Sequence, residues 1–269
     1  MVDVTIDRGK PARVAFRGGG FDPVPRRGVS WLCFAGAIAL WQAASELGLA
    51  DPLFLPSPLA IARSLKELAV SGELARHFGA SLGRIGAGWL IGAAAGVLVG
   101  SLIGLFGLWR SAGLPFISAL FPIPKIALLP LLILWLGIGE ASKVATIALG
   151  VFFPMAISTY AGVDNVPRNL IRMAQSFNVP FLRIVASVIL PGMLPSVLAG
   201  CRISASIALI LVVAAEMIGA NLGIGAFVLT AGNLMQTDKL MAGITAISIL
   251  GLVIGTAISW LERTLLSWR

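Results

Sequence analysis

Apolar residues in this chain come in runs too long for the core of a soluble domain. Gly28–Ser45, Ile85–Trp109, Val144–Val163 and Leu240–Leu261 contain no Asp, Glu, Lys or Arg. Ile184–Cys201 is equally clean and continues past Arg202 to Ala215, and Ser111–Gly139 is broken only by Lys125. A helix needs about 20 apolar residues to cross a bilayer, and a charge at mid-depth costs at least roughly 2.5–3.5 kcal/mol. The pattern therefore predicts six membrane-spanning helices and an all-α membrane protein. Two further apolar stretches are too short to cross. Leu55-Pro56-Ser57-Pro58 places an N-cap serine before a first-turn proline, predicting a short outer helix to about Val70. Its Leu65, Leu68 and Ala69 are expected to face the membrane. Ile224–Met235 predicts a second outer or re-entrant helix.

The polar interlude from Asp164 to Pro191 breaks the rhythm most sharply. Pro167 suits a first helical position, and Leu170, Ala174 and Phe177 recur at helical spacing. Asn178 is suited to the left-handed residue that ends a helix, Pro180 to opening the next, and Leu190-Pro191 to closing the segment. This is a compact helical hairpin between two spans, a shape suited to a soluble partner. Leu170, Ala174 and Phe177 are expected to pack the element or fill a partner's groove, with Arg168, Arg172 and Gln175 making polar contacts at the rim.

Within the spans, Gly88, Gly92, Gly96, Gly100 and Gly104 form a ridge at four-residue intervals, which lets another backbone approach closely. Pro115, Pro122, Pro124 and Pro130 make the third span irregular around Lys125, and broken backbone at membrane depth needs protein or water around it. Lys125 is either a cation lining a pathway for an anionic solute or a lysine pinned by carbonyls at a kink. Arg202 is a second pathway candidate, or it snorkels to the headgroups. Glu216 is a third, as a gate residue, or it caps and ion-pairs at the interface.

Composition changes the picture in one respect. Of 269 residues, 12% are charged, about half the share usual for a soluble domain, yet the net charge is +8. Residues 1–28 form a basic tail with Arg8, Lys10, Arg13, Arg17, Arg26 and Arg27, which reads as the cytoplasmic lead of a signal anchor. Alternating spans put Arg110, the hairpin arginines, Arg263 and Arg269 on that same side. Arg63, Lys66, Arg76, Arg84, Lys143 and Lys239 fall on the other. Nucleic acid is not needed to explain the charge. Cys33 and Cys201 lie in apolar runs without metal-like spacing, and the single histidine, His77, reads as a solvated interfacial residue.

No GxxxxGK[ST] loop, HExxH or GxSxG occurs, so no nucleotide site, catalytic residue or metal site is expected. Nor does any pair of carboxylates sit inside an uncharged run, which weakens ion coupling. Any energy source must come from outside the chain.

The 164–190 hairpin resembles the cytoplasmic coupling loop of bacterial ABC importer permeases. Its consensus is Glu-Ala-Ala, three residues, Gly, nine residues, Ile, one residue, Leu-Pro. Here Ala174 falls on the second alanine, Val188 on the isoleucine and Leu190-Pro191 on the closing pair, whereas Arg172 replaces the glutamate and Asn178 the glycine. Pro122–Pro130, Leu134–Glu140 and Ala215–Gly219 resemble the nitrate, taurine, aliphatic-sulfonate and bicarbonate branch. The resemblance implies the type I ABC importer permease architecture over 29–269, with outer loops 49–80 and 216–238. It also implies a second copy of the permease, two cytoplasmic ATPase subunits that bind ATP and Mg, and a periplasmic or lipid-anchored solute-binding protein. The place would be the bacterial inner membrane, with both termini cytoplasmic. Transport would proceed by alternating access of a small anion. A secondary transporter, a channel and a scaffold subunit are the rival readings.

Overall fold

The computed structural model describes residues 27–49, 51 and 53–266, and its ordered elements there are helices. The basic tail up to Arg26, and Arg269, lie outside the described residues. Helix α1 (Arg27–Glu46) leads to α2 (Pro58–Val70) and the long α3 (Glu73–Leu105). Helices α4 (Gly107–Leu120) and α5 (Leu129–Leu136) follow, joined through a tight turn at Lys125–Leu128, and then α6 (Glu140–Asp164). The hairpin is α7 (Arg168–Ser176) and α8 (Phe181–Ile184), after which come α9 (Leu190–Gly219), α10 (Ile224–Asn233) and α11 (Thr237–Leu265).

Five helices are long and apolar enough to cross a membrane, and the bent α4–α5 pair makes a sixth crossing. That crossing is settled by direction. Gly88 of α3 packs on Ile147 of α6, Gly96 on Met155 and Gly104 on Val163, so α3 and α6 run parallel. The chain has to return between them, and only α4–α5 is available. The two halves meet at 88° because Pro122 and Pro124 interrupt the backbone ladder.

The α3–α6 seam is the tightest contact. A methyl group at Gly96 would lie 2.7 Å from the Phe152 carbonyl oxygen, and one at Gly100 would lie 2.7 Å from Thr159 Cβ. All five ridge glycines face α6 in this way. Helix α9 packs antiparallel on the other side of α6, with Gly200 against Ser158 and Gly162 against Met193 and Ser196. Ile147, Val151, Met155, Ala208 and Val212 form the core between these three helices.

Three local expectations are revised. Leu68 does not face the membrane: with Ile61 it is buried against Ala242 of α11. Pro167 is the residue before α7, not its first, and Leu190-Pro191 opens α9 instead of closing the hairpin. Pro191 has no N–H for the Ser187 carbonyl, so the turn ahead of it widens. Val185–Ile189 is π-helical, with Leu190 N–H donating to the Val185 carbonyl. Helix α1 stands apart, with Trp31, Leu32 and Leu40 all over 70% exposed.

Candidate functional site

At one end of the bundle the chain folds back as the hairpin. Asn178 takes φ +53°, the left-handed conformation suited to asparagine, and Val179 N–H donates to the Ala174 carbonyl at 3.1 Å. Val166, Ile184, Ile189 and Met193 are buried at the root, with Ile171, Ala174 and Val179 packed against them. The stripe expected to share one apolar face is therefore divided. Ala174 turns inward, whereas Leu170 and Phe177 stay outside with Met173, and Phe177 is 76% exposed.

Helical geometry sorts the remaining side chains. Arg168, Ile171, Arg172 and Gln175 follow i, i+3, i+4, i+7, one face of α7, and all four line a cavity against the ends of α3 and α6. Leu170, Met173 and Phe177 project from roughly the opposite face at about 100° per residue. Arg168, Arg172 and Gln175 thus line this cavity while remaining exposed to solvent.

The far end of the bundle is built in the opposite way. His77, Ser81 and Arg84 share one face of α3, and Arg84 links three elements. Its Nε donates to Glu140 Oε2 and its Nη1 to Glu216 Oε1 and the Leu222 carbonyl, each at 2.6 Å. Glu216 accepts further bonds from Ser81 Oγ at 2.8 Å and from the Gly225 N–H at 2.9 Å. Ile224 N–H donates to Ser81 Oγ at 2.9 Å, so two free amides at the start of α10 are satisfied. Gly223, at φ +135°, leaves the space that the Glu216 carboxylate fills.

The three pathway candidates all have structural partners. Glu216 is 1% exposed and does not line an open path; it caps and ion-pairs, fully enclosed. Lys125 donates to the carbonyls of Leu120, Phe121 and Ile123 at 2.7–3.1 Å and sits 4.3 Å from the Phe153 ring centre. That is the kink-pinning role, with all three ammonium hydrogens engaged. Arg202 pairs with Glu262 of α11 at 2.5 Å and with Ser259. His77 is not solvated either: its Nδ1 lies 2.9 Å from the Gly223 carbonyl and 3.1 Å from the Gly223 nitrogen. Arg84 and Ser81 were missed as a pair because Arg84 read as an outer-loop cation. The polar spacing His77, Ser81, Arg84 entering an apolar run was the available signal.

Comparison with known proteins agrees with this architecture. The family described as "binding-protein-dependent transport system inner membrane component" matches residues 92–267. The taurine transport system permease protein TauC of Escherichia coli (strain K12) is 37% identical over 86% of this chain and 86% of its own length. SsuC of Bacillus subtilis (strain 168), a candidate aliphatic sulfonates transport permease protein, is 38% identical over 86% of this chain and 84% of that protein. A chain from inward-facing conformations of the MetNI methionine ABC transporter superposes with TM-score 0.63 at 20% identity. It covers 71% of this chain and 95% of its own, which is a likeness of fold.

Proposed function

The chain belongs to the family of binding-protein-dependent transport system inner membrane components, and we propose that its solute is a small sulfonate of the taurine or alkanesulfonate type. It is a membrane-embedded transport subunit with the type I importer permease fold. The relatives named for sulfonates and taurine span most of this chain, which supports the solute class. Nitrate and bicarbonate are the next solutes to try.

Two cytoplasmic ATPase subunits would bind ATP and Mg, and a solute-binding protein would deliver cargo at the far end of the bundle. The single observation that carries the docking reading is the outward face of α7. Leu170, Met173 and Phe177 are 43%, 56% and 76% exposed on a hairpin whose own root is already packed. A membrane protein that projects such a face beyond its spans offers it to a groove in a soluble partner. On this reading the hairpin and both termini would lie on the cytoplasmic side of a bacterial inner membrane. A second copy of the permease would complete the path. Closure of the ATPase pair would push on the hairpins and reorient the spans. Much of the discrimination between solutes would fall to the binding protein.

The test is ATP hydrolysis by this chain co-purified with its ATPase, wild type against Leu170→Ser/Phe177→Ser. Solute-binding protein loaded with taurine, an alkanesulfonate, nitrate or bicarbonate would be added in turn. Stimulation by one loaded protein, together with loss of co-purification in the double variant, is the expected result. Co-purification unaffected by the variant would remove the docking face, and stimulation by nitrate or bicarbonate alone would replace the sulfonate.

A further inference from the structure

The arginine face of α7 looks into a cavity of about 340 Å³ between the hairpin and the ends of the spans. Its polar wall holds Arg110, Asp164, Arg168, Arg172 and Gln175. Arg110 and Asp164 are joined by two parallel bonds of 2.6 Å, so they neutralise one another. Arg168 and Arg172 have no carboxylate within 4.0 Å among the described residues, although Arg168 still acts on Asp164 at longer range, and the cavity wall holds no other acid. The net charge of the lining is therefore +2. The floor is apolar, formed by Leu105, Ile171, Phe181 and Ile189.

Two features set the chemistry of an occupant. Two guanidiniums one helical turn apart, with an amide beside them, present forked donors of the geometry that phosphate and sulfonate oxygens accept. The cavity is lined by the last residues of α3 and α6, Gly104, Leu105, Val163 and Asp164, and the ends of spanning helices are the level at which lipid headgroups are met. Basic pockets between helices at that level bind lipid phosphates.

We propose that this cavity is an oxyanion site, holding a phosphate or sulfonate group between Arg168, Arg172 and the bundle end. The group comes from either of two sources, the headgroup of an anionic phospholipid or a free anion of the cell interior. The site sits on the opposite face of α7 from Leu170, Met173 and Phe177; only the assignment of a free anion to the cell interior rests on the orientation proposed above.

The test is thermal stability of the full chain in nanodiscs. In one arm phosphatidylglycerol replaces part of a phosphatidylcholine bilayer. In the other, sulfate or methanesulfonate replaces chloride at constant ionic strength in phosphatidylcholine alone. Arg168→Gln/Arg172→Gln is compared with Arg183→Gln/Arg263→Gln, which removes the same charge outside the cavity. Saturable binding in either arm raises the apparent Tm of wild type and of the Arg183/Arg263 variant by about 2–4 °C. The Arg168/Arg172 variant loses the shift, and the arm that responds identifies the source. No shift in either arm overturns the site, as does a shift that survives in the Arg168/Arg172 variant. A shift lost equally in both variants reduces the effect to surface charge and also overturns it.

Discussion

The two ends of this bundle handle arginine in opposite ways. At the far end Arg84 is enclosed and bonded to two carboxylates and a carbonyl, so that α3, α6, α9 and the start of α10 converge on one guanidinium. At the hairpin end Arg168 and Arg172 have no carboxylate partner among the described residues, and apolar side chains nearby stay uncovered. Burial explains the difference. A charge in a dry interior is tolerable only when fully paired, so the far end is closed by the fold itself. The hairpin projects past the spans, where unpaired charge is cheap and remains available to other molecules.

The largest effect should come from removing the far-end hub. Arg84→Ala leaves Glu216 charged, enclosed and without its cation, which costs about 3–5 kcal/mol. The measurement is the yield and thermal midpoint of folded protein in detergent. Glu140→Gln sharpens the point, because Glu140 is 65% exposed and its loss should cost no more than about 1 kcal/mol. Equal losses from the two variants would show that the far end is not organised around the Arg84–Glu216 pair.

Next comes the seam that joins the ends. Gly96→Ala drives a methyl into the Phe152 carbonyl and should cost about 1–3 kcal/mol by the same measurement. An unchanged midpoint would mean that α3 and α6 can separate without penalty. At the hairpin, Asn178→Val places a β-branched residue at φ +53° and should cost about 1–2 kcal/mol, read as faster proteolysis at residues 176–181. Smallest is Phe177→Ser, which should alter the thermal midpoint by less than about 0.5 kcal/mol in stability terms. A large loss there would contradict the free outward face of α7.

The same contrast decides what could be read from the sequence. The hairpin was legible because its determinants are local: Asn178 and Pro180 fix the turn wherever the rest of the chain lies. The glycine ridge was legible on α3, though nothing in its spacing names α6 as the partner. The far-end hub was not legible as a unit, since Arg84, Glu140 and Glu216 are brought together only by tertiary packing. Glu216 had capping and pairing among its readings, without a partner. Polar residues inside long apolar runs suggested a pathway, whereas their immediate partners, carbonyls for Lys125 and a carboxylate for Arg202, come from tertiary and turn geometry that the sequence does not display. The direction of each α7 face also escaped, because Leu170, Ala174 and Phe177 fit a helical period without showing which way each one points.

The parallel register of α3 and α6 has a mechanical consequence. From Gly88 to Gly104 the two helices advance together for 16 residues, a length of about 24 Å, with no side chain on the glycine side to act as a cushion. Two rods locked backbone to backbone resist bending far better than either alone. A load applied beside Val163 reaches Ile147 as displacement of the whole strut. Helix α6 lacks one ladder bond of its own at Pro154, but there the seam with α3 braces it; the wider breaks, where compliance concentrates, include the 88° corner before Lys125 and the turn at Val185–Ile189.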